Sequence, residues 1–280
     1  MDFEIRKMRR HDLDTVIEWA ASEGWNPGIH DRDAFFDTDP DGFFMAWDGK
    51  KPAGSISAVS YGKDFGFIGF FIVRPEYRGH RLGLELGKVA CSYLAGRNIG
   101  IDGVEKKVHN YETHGFTLAW NNARYEGLSR KSVFPAGIIP LCDLPFKEIL
   151  NFDSRFFPAP REKFLKKWLV MPESFAFASP GTASEINAYG LARKCRTGYK
   201  IGPLFAESVE IAEKILSALC SSLPTGTRFY LDIPAVNENA VKLALNNNMK
   251  AVFRTARMYL RKLPDIPLKN VFGITSYELG

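Results

Sequence analysis

Val73-Arg74-Pro75-Glu76-Tyr77-Arg78-Gly79-His80-Arg81-Leu82-Gly83 is the stretch on which the reading of this 280-residue chain turns. Upstream of it, residues 65–73 are apolar apart from Gly66 and Gly69, the pattern of a buried strand and far short of the ~20 residues a bilayer span needs. Downstream, Leu82, Leu86, Val89, Ala90, Tyr93 and Leu94 recur on one face of an amphipathic helix that Gly96 ends. The stretch is therefore a strand-to-helix turn. Its unpaired N–H groups and the positive end of the helix dipole suit an anion, and a phosphate fits. Gly79 and Gly83 let an extended pyrophosphate approach the main chain, with Arg78, His80 and Arg81 as surrounding donors. The same residues also read as an ordinary glycine turn with a solvated basic cluster, and spacing alone leaves both readings open.

Working outward, residues 3–8 alternate like a strand, and Asp12 precedes Leu13, Val16, Ile17 and Ala20 at helical spacing. Trp25-Asn26-Pro27-Gly28 breaks that helix. Residues 43–47, 53–61 and 65–73 read as a meander of strands, with Asp48-Gly49 and Gly62-Lys63-Asp64 as turns. A strand at 99–104, a short helix at 108–114 and a strand at 116–125 complete the order βα(α)βββαβαβ. Residues 129–145 read as a linker, so the chain divides into 1–128 and 146–280. The second part repeats the first more faintly: helices at 146–157 and 161–171, strands at 174–178, 187–193 and 199–205, a helix at 208–221, a strand at 228–233, a helix at 238–247 and a strand at 252–261. Ile101-Asp102-Gly103, short helix, strand aligns in kind with Leu231-Asp232-Ile233, short helix, strand, which reads as an internal duplication. The expected fold is α/β: two domains, each a mixed, mostly antiparallel sheet flanked by helices.

Composition excludes several function classes. Hydrophobic residues at 45% and charged residues at 25% are ordinary globular usage. The excess of 37 Lys and Arg over 32 Asp and Glu falls well below what a dedicated nucleic-acid binder carries, and it suits an anionic small ligand. Cys91, Cys142, Cys195 and Cys220 form no CxxC pair, and His11, His30, His80, His109 and His114 form no metal-spaced pair, so neither a metal site nor a disulfide framework is expected. The charged N-terminal segment from Asp2 to Arg6 lacks a signal core, which predicts a cytoplasmic protein. Nothing in the sequence chooses between monomer and homodimer.

The turn resembles the pyrophosphate loop of GNAT-type N-acetyltransferases, whose pattern is Arg/Gln-x-x-Gly-x-Gly/Ala after a strand ending in Val-x-Pro. Arg78, Leu82 and Gly83 match it, and Val73, Pro75 and Tyr77 match the lead-in; Arg81 stands where the family usually has Gly. Tyr111-Glu112-Thr113-His114-Gly115-Phe116 resembles the family's Tyr-x-x-x-Gly-Phe segment, at the expected separation. The second half is similar to the degenerate C-terminal domain of tandem-GNAT proteins. Its Tyr199-Lys200-Ile201-Gly202-Pro203-Leu204-Phe205 would replace the coenzyme strand, but Glu207 and Glu210 stand where glycines would be, and carboxylates there repel a pyrophosphate.

The resemblance implies an acetyl-CoA-dependent N-acetyltransferase, without metal, in which the amine of a small molecule, amino acid or lysine-like acceptor attacks the thioester directly. It implies that the coenzyme lies along Phe71, Ile72 and Val73 and on Arg78, Gly79, His80, Arg81, Leu82 and Gly83, with an N–H near Ile72 or Val73 polarising the thioester. Tyr111 takes the role of the tyrosine that protonates the departing thiolate. The glutamate that many family members carry on the fourth strand is missing from residues 65–73, which leaves Asp102 as the candidate base; Asp102 reads equally as a turn residue before Gly103. Trp25, Asn26, Tyr61 and Phe70 are candidate acceptor-site residues. A non-catalytic coenzyme-A-binding sensor is the alternative that Arg81 and the missing glutamate motivate.

Overall fold

The computed structural model describes residues 2–181 and 185–280. The first half runs β1 (Glu4–Lys7), α1 (Asp12–Ser22), α2 (Asp31–Thr38), β2 (Phe43–Asp48), β3 (Lys51–Tyr61), β4 (Phe65–Val73), α3 (Leu82–Tyr93), β5 (Asn98–Val104), α4 (Val108–Glu112) and β6 (Thr117–Leu128). The second half runs β7 (Ile139–Pro140), α5 (Phe146–Asp153), α6 (Glu162–Trp168), β8 (Ser174–Pro180), β9 (Ile186–Lys194), β10 (Tyr199–Ala206), α7 (Val209–Ser221), β11 (Arg228–Pro234), α8 (Glu238–Asn246), β12 (Lys250–Tyr259) and β13 (Val271–Gly273). The meander, the strong central helix and the repeated order follow the hydrophobic periods. Residues 129–145 are not linker throughout, because β7 adds to the outer edge of the sheet beside β8. Among the described residues no helix is long and apolar enough to cross a membrane.

The two halves share one sheet. Its order is β1-β2-β3-β4-β5-β12-β6-β11-β10-β9-β8-β7, with β13 on β10. Each half has thus given its last long strand to the other: β12 pairs with β5, and β6 pairs with β11, while β6 and β12 pair with each other at the centre. The pairs β4–β5 and β10–β11 are parallel, and they occupy equivalent places in the two halves.

Charge locks this exchange. Asp102 on β5 faces Arg257 on β12 in register, and Asp232 on β11 faces Arg124 on β6. Arg257 donates through Nε and Nη2 to the two Asp102 oxygens at 2.9 and 2.6 Å. Arg124 does the same to Asp232 at 2.7 and 2.8 Å. Both pairs are buried, so each guanidinium holds a carboxylate that has nowhere else to discharge its charge. The aspartates that aligned in the sequence repeat are therefore the two equivalent clamps of the exchange. A third buried pair, Arg193 with Asp31 at 2.9 Å, ties β9 to α2.

Two apolar layers cover the first half of the sheet. On one face α3 packs through Leu82, Leu86 and Ala90 against Ile56, Ala58, Ile68 and Ile101. On the other, α1 and α2 bury Leu13, Val16 and Phe35 together with Phe65, Phe67, Phe70 and, from the second half, Phe164, Trp168 and Leu279. The second half therefore roofs the α1–α2 face of the first.

Candidate active site

The site is built where β4 and β5 part company. Their parallel pairing covers Phe65–Ile68 against Asn98–Ile101 and stops there. Opposite β3, Ser57 faces Gly69 and Ser55 faces Ile72, so β4 carries one extra residue, and Phe70 takes the left-handed conformation at φ 43°. That bulge turns the strand, and Ser55 Oγ holds it by donating to Phe70 O at 2.8 Å. Among the described residues, β4 beyond Ile68 has no strand partner on its β5 side. A wedge lined by main chain results, with Phe71, Ile72 and Val73 along one edge.

The turn after β4 completes it. Gly79 has φ 87°, and Arg81 reaches φ 62°, the left-handed region that favours glycine. Arg81 occupies the N-cap of α3, with no side chain capping the helix. Leu84 and Glu85 donate to Arg81 O, whereas the N–H groups of Gly79 through Gly83 have no protein acceptor among the described residues. These five donors lead into the positive end of a 12-residue helix, beside the exposed side chains of Arg78, His80 and Arg81. Arg78 is braced by Val73 O at 2.9 Å and by Glu23 at 2.6 Å. No Cβ obstacle lies within 4 Å of Gly79, and Gly83 sits at ordinary contact distance from Phe71 and Val73. Arg81 in place of the expected glycine therefore imposes backbone strain and does not block the turn.

Tyr111 is half-buried on α4, with its ring laid over Gly103 of β5 and edge-on to Phe116 at 6.2 Å. A Cβ at Gly103 would stand 2.4 Å from the Tyr111 ring, so this glycine exists for the close approach. Burial raises the Tyr111 phenol above its ordinary value, which keeps it protonated at neutral pH.

The other expected residues have different surroundings. Asp102 Oδ1 also accepts from Asn122 Nδ2 at 2.8 Å, so its carboxylate is fully engaged by Arg257 and Asn122 in the strand-exchange clamp, a poor position for receiving a substrate proton. Asn26 exchanges two hydrogen bonds with Thr197 at 2.9 Å, joining the loop after α1 to the β9–β10 turn. Trp25 is half-buried, and its carbonyl accepts from Arg124. Tyr61 and Phe70 lie in the core, Tyr61 donating to Leu279 O at 2.9 Å. Among the described residues no group of three or more His, Cys, Asp or Glu could hold a metal ion.

The equivalent wedge of the second half is closed. β10 carries the matching bulge between Ile201 and Leu204, and its pairing with β11 likewise stops at Ile201. β13 then pairs with β10 at Leu204 and Phe205, Ile274 N donates to Asp232 O of β11 at 2.8 Å, and Asn270 donates to Ala206 O at 2.9 Å. The helix that follows is capped: Ser208 Oγ accepts from Ile211 N, Glu207 accepts from Arg155, and Ser208 also holds the Glu210 carboxyl below its ordinary range. Sequence reasoning missed β13 and the segment after it. Three strand residues leave no period to detect, although the apolar character of residues 271–274 and the turn formers before them were available signals.

A bulged strand splayed from a parallel neighbour, followed by an uncapped turn and a tyrosine after the next strand, in a chain whose second half repeats the bulged strand and its parallel pairing, defines a class of protein. The chain belongs to the GNAT acetyltransferases, as a tandem member: residues 10–116 match the model described as "Acetyltransferase (GNAT) family", and residues 149–273 match that of an "Acetyltransferase (GNAT) domain". It is 29% identical over 266 residues to the holothin acyltransferase of Pseudoalteromonas sp. (strain SANK 73390), spanning 95% of this chain and 90% of that one. In fold it is similar to a putative acetyltransferase from Pyrococcus horikoshii (TM-score 0.84, 22% identity, 99% and 96% of the chains). It is also similar to a tandem GNAT protein from the clavulanic acid biosynthesis pathway (TM-score 0.62, 12% identity, 92% and 98%). The chain is an acyltransferase by family.

Proposed function

We propose that the first half transfers an acetyl group from acetyl-CoA to the amine of a small molecule, by direct attack of the nitrogen on the thioester. The observation that carries this is the contrast between the halves. In the first, the wedge is open and the α3 turn presents unpaired N–H groups; in the second, β13 fills the wedge and Ser208 caps the helix. One coenzyme per chain follows. The pantetheine arm would lie along Phe71 to Val73 and the pyrophosphate on Gly79 to Gly83, with Arg78 and Arg81 as charged neighbours. A Tyr111 phenol kept neutral by burial suits the acid that protonates the departing thiolate. The 29% identity across nearly the whole length of a holothin acyltransferase favours a small amine over a protein lysine as acceptor. Trp25, whose loop is pinned to the second half, is the candidate wall for that acceptor. The test is release of free thiol from acetyl-CoA across a panel of amines that includes holothin, with calorimetry for stoichiometry. Acetyl-CoA binding at one site with amine-dependent thiol release supports the reading; two sites, or binding without release for every amine, sinks it.

A further inference from the structure

Residues 271–280 are buried without exception. After β13 closes the second wedge, the segment runs on between the bulges of the two halves. Where it passes β10, a Cβ at Gly202 would lie 2.5 Å from Thr275 O, and where it passes β4, a Cβ at Gly69 would lie 1.9 Å from Glu278 O. Both strands therefore need glycine at the point of contact. Gly69 borders the bulge at Phe70 that opens the coenzyme wedge, so no side chain can project from β4 there, and the main chain of Glu278 lies against it. Tyr61, donating to Leu279 O, and Ser276 Oγ, accepting from Leu279 N at 3.0 Å, hold the segment on either side of Glu278.

Among the buried acids at this junction Glu278 is set apart by its lack of partners. Asp31, Asp102, Asp153 and Asp232 each grip an arginine at 2.9 Å or less. Glu278 is 2% exposed, both of its carboxylate oxygens lack a hydrogen bond, and its nearest cation, Lys200 Nζ on β10, stands 3.9 Å away. Arg193 Nη2 and Tyr277 Oη are buried without acceptors as well. Unsatisfied buried polar groups of both kinds are destabilising unless a polar guest satisfies them.

We infer that Glu278, delivered by the C-terminal segment of the second half, is the general base of the first half's active site and receives the acceptor's ammonium group. The inference rests on the acetyl-transfer reading above and deepens it. Glu278 takes one proton from R–NH3+; the neutral nitrogen attacks the thioester carbonyl carbon, the C–S bond breaks, and the thiolate receives a proton from Tyr111. The second nitrogen proton lost on amide formation balances the one that Tyr111 gives, so the net release is one proton, from Glu278 to water. Lys200 Nζ, across from the carboxylate on β10, is the cation that faces it.

Glu278→Gln tests this in the full chain, alongside Glu278→Gln with Lys200→Met, which removes both charges and so leaves no unpaired cation in the core. Acetyl-CoA affinity by calorimetry should stay within about threefold of the parent in both. Thiol release with a primary alkylamine should fall by roughly 10²–10⁴, the usual effect of removing a general base. With an arylamine, already neutral at the assay pH, the loss should shrink to about tenfold or less. Parental rates with the alkylamine, or equal losses with both amines, overturn the assignment of Glu278 alone. A parent chain that binds acetyl-CoA and releases thiol with no amine overturns the acetyl-transfer reading and this inference together.

Discussion

Replacing Arg257 by Met keeps most of the side-chain volume and strands Asp102, whose carboxylate is completely buried, without a cation. The loss comprises two charge-assisted hydrogen bonds, at 2.9 and 2.6 Å, and leaves one neutral donor, Asn122 Nδ2, on Oδ1. Breaking a buried pair from one side costs roughly 3–5 kcal/mol, because an uncompensated charge stays in the core. That is a large share of a total stability of about 5–15 kcal/mol, and at roughly 2–4 °C per kcal/mol the midpoint should fall by about 6–20 °C. Asp102→Asn should cost a similar amount by leaving the guanidinium unpaired. The double variant removes both charges, and the new amide can still accept from Asn122, so it should cost only about 1–2 kcal/mol. Denaturant and thermal unfolding of the four proteins, followed by far-ultraviolet circular dichroism, therefore should give a coupling energy of several kcal/mol in the double-mutant cycle. Additive effects would refute the argument that this pair clamps the exchanged strand. The folded double variant also separates the two aspartate roles: with Asp102 a clamp, its turnover stays within about tenfold of the parent, whereas an Asp102 base would cost 10²–10⁴.

Tyr111→Phe removes a hydroxyl and leaves the ring on Gly103, so melting should be nearly unchanged while kcat falls by roughly 10²–10⁴ at unaltered acetyl-CoA affinity; a lowered midpoint with parental kcat would make the residue structural. Arg78→Glu with Arg81→Glu should weaken acetyl-CoA binding at least about 100-fold, about 3 kcal/mol, from the loss of two charge-assisted phosphate contacts and their reversal beside a helix N-terminus. The Arg78 pair with Glu23 is exposed, so circular dichroism should show an intact fold, and unchanged affinity would remove the pyrophosphate site. For Asp232, burial alone would raise the carboxyl, but the Arg124 guanidinium overcomes it and holds the group below its ordinary value of 3.8. Its folded value being depressed, it contributes stability that is complete well above pH 3.8 and lost as pH falls through the folded value. Asp232→Asn should therefore flatten the acid limb of the parent's stability–pH curve below about pH 4, and an unchanged limb would speak against the ionised pair.

Local sequence determined the parts of this protein that depend on near neighbours. The period-two runs at 43–73 specify a meander, the apolar stripe from Leu82 to Leu94 specifies one helix, and the turn between them has the glycines and basic residues an anion needs. Because strand and helix periods are set within a few residues, β4 and the core of α3 lay where the spacing put them. The duplication was legible for the same reason: the two halves repeat the same periods in the same order.

Which strand pairs with which was decided only by the tertiary structure. β6 and β12 have equivalent patterns in their own halves, and nothing local distinguishes pairing within a half from pairing across. The buried clamps of Asp102 with Arg257 and Asp232 with Arg124 exist only once the exchange has occurred, at sequence separations of 155 and 108. That exchange turned Asp102, readable from sequence as a base, into a structural ion. It also brought residues 271–280, which have no helical or strand period of any length, through the centre of the molecule, closing one wedge and laying the main chain of Glu278 against Gly69 of the strand that borders the other. Contacts between residues so far apart in the chain are set by the packing of whole layers and leave no trace in local periodicity.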